Sequence, residues 1–211
     1  VNDSTTLKLI RKYLKEGVME KGLEKATTTG VPQGGPLSVV CSNVYLDKLD
    51  KELEQRGLRF TRYADDVLIF TKSEMAANRV MKSICSWLER KLFLKVNATK
   101  TKVVRPTRSK YLGFTFLKNG SEWKVRPTNE KKKKLKKKLS EYLKRGKAVA
   151  RPLAVTIKRV NEIVRGWINY FRIGMMKLFM EELGEWLRHK MRVILVKQWK
   201  RPKTIYRNLS Y

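Results

Sequence analysis

Apolar residues recur along this chain with two periods, one near 3.6 and one of 2, and the switches between them mark its elements. Leu7, Leu9, Ile10, Tyr13 and Leu14 follow a broadly helical spacing that stops at Gly17, which predicts a short core helix. Thr27-Thr28-Thr29 is β-branched and predicts a strand. Gly30, Gly34 and Gly35 then allow a ligand close to the backbone, and Pro36 suits a helix's first turn. Leu37, Val40, Cys41, Val44, Tyr45, Leu49 and Leu53 mark one face of a long amphipathic helix ending at Gly57. Asp47 and Asp50, on or near its wet side, read as surface acids rather than ligands.

The period then shortens. Arg59–Arg62 and Val67–Phe70 flank Tyr63-Ala64-Asp65-Asp66, predicting a β-hairpin with both carboxylates at its tip. Ser73 is placed to cap a helix whose apolar stripe is Val80, Ile84, Trp87 and Leu88. Alternating residues on either side of Asn119-Gly120 predict a second hairpin, from Tyr111 to Val125.

From residue 128 the helical period returns and persists. Leu135, Leu139, Tyr142 and Leu143 form a narrow stripe on an otherwise cationic helix, in which Lys133, Lys134 and Lys137 belong to one lysine run. Val160, Ile163, Val164, Trp167, Ile168 and Phe171 mark a second helix, which also carries Arg165. A third follows Gly174, with Leu183, Trp186, Leu187 and Ile194 inward and Arg188 and Arg192 among its basic residues. The reading is an α+β fold: an antiparallel sheet backed by helices, followed by an all-α three-helix bundle. Its divisions are 1–105, 106–127 and 128–211. The tryptophans sit on apolar stripes, where core packing is their expected role.

Composition adds a partner. Lysine and arginine number 49 against 19 acids, a formal charge of +30. That excess repels itself in a compact chain, so a polyanion is the economical explanation, with nucleic acid ahead of an anionic membrane surface. No apolar run has spanning length and no signal peptide is present, so secretion and insertion are not expected. Cys41 and Cys85 are isolated and His189 is the only histidine, a pattern that argues against zinc and for two buried thiols in a reducing compartment.

Asp65 and Asp66 carry the candidate chemistry. Neighbouring carboxylates held near one point repel, and one tends to protonate unless a cation neutralises them. Mg²⁺ is the natural cation, because it takes few carboxylates and completes its shell with water and substrate phosphates. Asp-Asp is also ordinary turn chemistry.

Tyr63-Ala64-Asp65-Asp66 resembles the Tyr-x-Asp-Asp hairpin of reverse transcriptases. Pro32-Gln33-Gly34-Gly35-Pro36-Leu37-Ser38 is similar to their Pro-Gln-Gly motif in the form found in group II intron enzymes, although Val39 stands where proline is usual. Asn97-Ala98-Thr99-Lys100-Thr101 and Tyr111-Leu112-Gly113-Phe114 resemble further reverse-transcriptase motifs, and Gly166-Trp167-Ile168-Asn169-Tyr170-Phe171 is similar to an element of the group II intron maturase domain, or thumb.

The resemblance implies a reverse-transcriptase palm followed by a thumb. It implies RNA-directed DNA synthesis coupled to intron splicing and insertion, in the bacterial cytoplasm or an organelle. Asp65 and Asp66 would hold two Mg²⁺ ions, Gln33, Gly34 and Lys100 would meet the nucleotide or template, and Tyr111, Leu112 and Gly113 would meet the primer. Lys133, Lys134, Lys137, Arg165, Arg188 and Arg192 would contact nucleic acid. The partners implied are intron RNA, an RNA-DNA primer-template, target DNA and deoxynucleoside triphosphates. A third carboxylate, the fingers and the first palm strand are expected upstream of residue 1, so the chain is expected to be an incomplete fragment, inactive alone. The alternatives are an RNA-binding splicing maturase without polymerase activity, or another bacterial reverse-transcriptase lineage.

Overall fold

Residues 3–15, 18–20, 23–25 and 36–209 are described by the computed structural model, with side chains for 3–15 and 37–209. The chain divides into two compact units, residues 1–103 and 104–211.

In the first unit, helix α1 (Ser4–Lys15) starts where the Asp3 carboxylate accepts from the Thr5 and Thr6 amides at 3.2 and 2.8 Å. The helix lies where expected, but it is not a core helix, since none of its residues is buried and Leu9 is 64% exposed. Helical spacing reports that one face is apolar, not that another element covers it. Strands β1 (Val18–Glu20) and β2 (Leu23–Lys25) then pair antiparallel in a ladder too short to read from sequence. The predicted threonine strand and the loop holding Gln33 and Gly34 lie outside the described residues.

Helix α2 (Pro36–Gln55) opens on the expected proline. Leu46, Leu49 and Leu53 are its buried residues, whereas Val40 and Val44 of the predicted stripe are 54% and 71% exposed. Length explains the difference. A helix of this size runs about 30 Å, while the hairpin beneath it, β3 (Arg59–Tyr63) and β4 (Asp66–Phe70), has five-residue strands spanning roughly 17 Å. Only the C-terminal half of α2 finds a partner there.

Helix α3 (Glu74–Lys91) is capped by Ser73, whose hydroxyl accepts from the Ala76 amide at 3.2 Å. Its predicted stripe packs with α2 and the hairpin. Leu46, Leu49, Leu53, Ile84 and Leu92 form the buried centre, with Phe60, Val67, Ile69, Val80, Trp87 and Leu88 around them. Cys41 and Cys85 are half-buried free thiols rather than fully buried ones, and burial pushes the Cys85 thiol up from its ordinary value.

The second unit opens with a three-stranded antiparallel sheet, β5 (Lys110–Tyr111), β6 (Phe114–Asn119) and β7 (Glu122–Pro127), in that order. Asn119 pairs with Glu122, so the turn is Gly120-Ser121, one position later than the Asn-Gly signal suggests. Gly120 takes a φ of +62°, as a two-residue hairpin loop requires.

Thr128 caps α4 (Asn129–Tyr142), and α6 (Leu153–Phe171) and α7 (Lys177–Trp199) complete the three expected long helices. Leu135, Leu139, Leu143, Ala148, Val160, Leu183 and Ile194 are buried at their centre. Two short helices, α5 (Arg145–Ala148) and α8 (Pro202–Leu209), are additional. A single turn carries no readable period, and α8 is cut from α7 at Lys200, whose φ is +56°. Among the described residues no helix is long and apolar enough to cross a membrane.

Candidate active site and nucleic-acid interface

Tyr63 pairs with Asp66, which leaves Ala64 and Asp65 as the two-residue turn. Asp65 therefore sits in the turn and Asp66 opens β4, both exposed. The turn demands a φ of +54° at Ala64, a left-handed conformation that costs a non-glycine residue roughly 1–2 kcal/mol.

Arg62 supports that turn. Its Nη1 donates to the Ala64 carbonyl at 2.9 Å and to Asn43 Oδ1 at 2.8 Å. Its Nε and Nη2 grip both oxygens of Asp50, at 2.7 and 2.5 Å. Arg62 and Asp50 keep only 12% and 23% of their side-chain surface, so this bidentate pair is well removed from water. Asp50 is thus an anchor between α2 and the acidic turn, not the surface acid expected of it. Asp47 does lie on the surface, paired with Lys51 one helical turn on at 2.6 Å. The signal for the clamp was present in the alternation of β3. Arg62 falls on the same inward face as Phe60, and an inward arginine needs a partner.

Asp65 and Asp66 offer two exposed carboxylates, hard oxygen donors of the chemical kind that divalent cations take. Among the described residues no group of three or more acidic, histidine or cysteine side chains gathers to form a closed metal cage.

Lys100 stands on a turn stapled by Asn97. The Asn97 side-chain oxygen accepts from the amides of Thr99 and Lys100 at 3.1 and 3.2 Å, and its carbonyl accepts from Thr101 at 2.9 Å. The Asn-x-x-Lys-Thr spacing thus makes a local Asx-turn with Lys100 exposed.

Leu112 and Gly113 form the β5–β6 turn with φ of +50° and +83°. The Tyr170 hydroxyl donates to the Leu112 carbonyl at 3.0 Å, and the Thr128 amide donates to the Gly113 carbonyl at 2.9 Å. Phe114 lies 6.0 Å from the Tyr170 ring, stacked, and 5.0 Å from Phe171, which in turn meets Trp167 at 4.5 Å. The two motifs at 111–114 and 166–171, separate in sequence, are therefore one packed unit.

Beside it, α4 and α6 enclose a groove of about 550 Å³. Lys131, Lys134, Lys138 and Arg159 line it with Trp167, Tyr170 and Phe171, and Glu162, held by Arg159 at 2.8 Å, is its one acid. The helix sorts the lysine run by face. Lys132 and Lys136 lie over the Phe179 and Trp186 rings of α7, at 5.2 and 5.5 Å. Lys134 is the one member of the predicted cationic set that lines the groove. Lys133 and Lys137 are exposed on α4, with Lys137 reaching Glu141 at 3.9 Å, and Arg165, Arg188 and Arg192 are exposed on α6 and α7. Lys131 and Lys138 belong to the lysine run already read as cationic, whereas Arg159 was not singled out, although its three-residue spacing to Glu162 was available.

Comparison with known proteins bears on both units. Residues 2–116 match the family described as reverse transcriptase (RNA-dependent DNA polymerase), and residues 132–210 match the group II intron, maturase-specific domain. Protein YkfC of Escherichia coli is 28% identical in a match covering 56% of this chain and 39% of that protein. The group II intron-encoded protein LtrA of Lactococcus lactis is 40% identical over 29% of this chain and 10% of its own length. A putative COX1/OXI3 intron 2 protein of Saccharomyces cerevisiae is 39% identical over 26% of this chain and 7% of its own length. The chain thus spans about two fifths or less of each of these relatives. The reverse-transcriptase match alone covers more than half of the chain, and with the maturase-specific match behind it the chain belongs to the group II intron reverse transcriptase/maturase family.

Proposed function

We propose that this chain serves RNA-directed DNA synthesis by a group II intron protein, together with RNA binding in splicing and mobility. The observation that carries the reading is the hairpin tip, where Asp65 and Asp66 stand side by side and exposed on a turn braced by Arg62. Asp65 and Asp66 would hold Mg²⁺, and the bound metal would neutralise phosphate charge during phosphoryl transfer. A further carboxylate from outside the described residues would complete the set.

The chain's other groups position the substrates. Lys100 offers an ammonium to the triphosphate of an incoming deoxynucleotide, and Gln33 and Gly34 meet the nucleotide or template. The Tyr111-Leu112-Gly113 turn holds the primer end of an RNA-DNA duplex. The α4–α6 groove and the exposed cations Lys133, Lys137, Arg165, Arg188 and Arg192 attract the phosphates of intron RNA and target DNA, which a charge of +30 supports.

The test is Asp65→Ala with Asp66→Ala in the intact polypeptide that carries this chain. The expected result is loss of DNA synthesis on an RNA template with intron splicing retained. DNA synthesis that survives the double substitution overturns the assignment of the acids. Splicing without any DNA synthesis by the unsubstituted protein would establish the RNA-binding maturase reading instead.

A further inference from the structure

Arg62 has a role beyond closing an ion pair. Its guanidinium meets three acceptors at once: the Asp50 carboxylate, the Asn43 amide oxygen and the carbonyl of Ala64. The first two lie on α2 and the third is in the acidic turn. That carbonyl belongs to the residue whose φ of +54° alanine adopts only against resistance. An alanine here has no intrinsic reason to hold that conformation, so what surrounds it must. Two supports are the Tyr63–Asp66 rung of the ladder and the Arg62 donor.

We infer that Arg62, anchored by Asp50 and Asn43, is a positioning residue that holds the Ala64-Asp65 turn in its left-handed form and so sets where the Asp65 and Asp66 carboxylates stand. The inference rests on the reading of those acids as a cation site. It does not require Arg62 to touch substrate or metal. Lysine can replace it only in part, because a single ammonium lacks the planar fork that reaches both the Asp50 oxygens and the turn.

Charge makes the idea sharply testable. Arg62 is a cation bonded to the carbonyl that precedes Asp65, so removing it should by electrostatics alone leave cation binding there unchanged or stronger, never weaker. If Arg62 acts by position, the same removal weakens it.

The experiment uses the intact polypeptide that carries this chain, with Arg62→Gln, Arg62→Lys, Asp50→Asn and, as site control, Asp65→Asn. Two quantities are read: hydrogen exchange of the amides in residues 63–67, with the 114–125 hairpin as internal control, and Mn²⁺ affinity from water-proton relaxation. The expected result is exchange at least tenfold faster at 63–67 in Arg62→Gln and Asp50→Asn, with the control hairpin unchanged. Mn²⁺ affinity is expected to fall severalfold in both, and Arg62→Lys to lie between these and the parent chain. Unchanged exchange at 63–67, or Mn²⁺ binding that holds or tightens when Arg62 is neutralised, overturns the proposal while leaving the cation site intact. Mn²⁺ binding unaffected by Asp65→Asn overturns the cation-site reading itself, and hydrogen exchange then still decides whether Arg62 holds the turn.

Discussion

The hydroxyl of Tyr170 donates to the carbonyl of Leu112 at 3.0 Å, joining residues 58 apart at a turn where leucine takes a φ of +50°. It is the counterpart in the second unit of the Arg62–Ala64 contact in the first. In each case a non-glycine residue in the left-handed region has its carbonyl held by a side chain. Tyr170→Phe keeps the ring that stacks on Phe114 and removes only the donor. The expected cost in a denaturant titration is about 0.5–1 kcal/mol, because the tyrosine is partly exposed and water replaces some of the bond. Amide exchange at 110–114 should rise with it.

Gly113 and Gly120 separate two ways in which a turn glycine matters. Both have positive φ, so alanine at either meets backbone resistance of roughly 1–2 kcal/mol. A Cβ at Gly120 would meet nothing, whereas one at Gly113 would come within 2.9 Å of Lys131 Cε and 3.2 Å of its Cγ. Gly113→Ala should therefore cost somewhat more stability than Gly120→Ala. It alone should also weaken binding to structured RNA, by displacing Lys131 from the groove.

The lysines of α4 should part into two classes under substitution. Replacing Lys131, Lys134 and Lys138 together by alanine removes three cations from the groove. The slope of log affinity against log salt for an RNA ligand should then shrink by about 2–3, at roughly 0.7–0.9 for each phosphate that is no longer neutralised. Lys132→Ala or Lys136→Ala should instead lower the stability of the helical unit by about 0.5–1 kcal/mol each, since their ammonium groups lie over Phe179 and Trp186.

Glu130 gives the unit a dependence on pH. The Lys110 ammonium hydrogen-bonded to it holds its carboxyl below the ordinary value of 4.5. A carboxylate lowered by folding stabilises the folded state above its unfolded value, and that contribution is lost as pH falls through the folded one. Glu130→Gln should thus lower the thermal midpoint slightly at pH 7 and not at all in strong acid. Both side chains are well exposed, so the difference should also fade at high salt.

The local patterns carried far. Alternation and a tight polar corner located the acidic hairpin, Ser73 announced the start of α3, and three long stripes in the last third became α4, α6 and α7. Each of these rests on interactions within a few residues of chain, which is why spacing alone reveals them. Where one-sidedness was taken for burial, as along α1 and the first half of α2, the reading failed, because a stripe does not say how long its partner is.

By itself, then, the amino-acid sequence determined the long helices and the two main hairpins, the strongly cationic character and the motifs that mark the family. Tertiary structure alone decided that Asp50 belongs to Arg62 rather than to solvent, that Tyr170 braces the turn at Leu112, and that Lys131, Lys134 and Lys138 share a groove with Arg159. The physical reason is distance along the chain. A charged or hydroxyl side chain reaches only a few ångströms through space, and which group lies within that reach is set by how helices and strands dock rather than by their order.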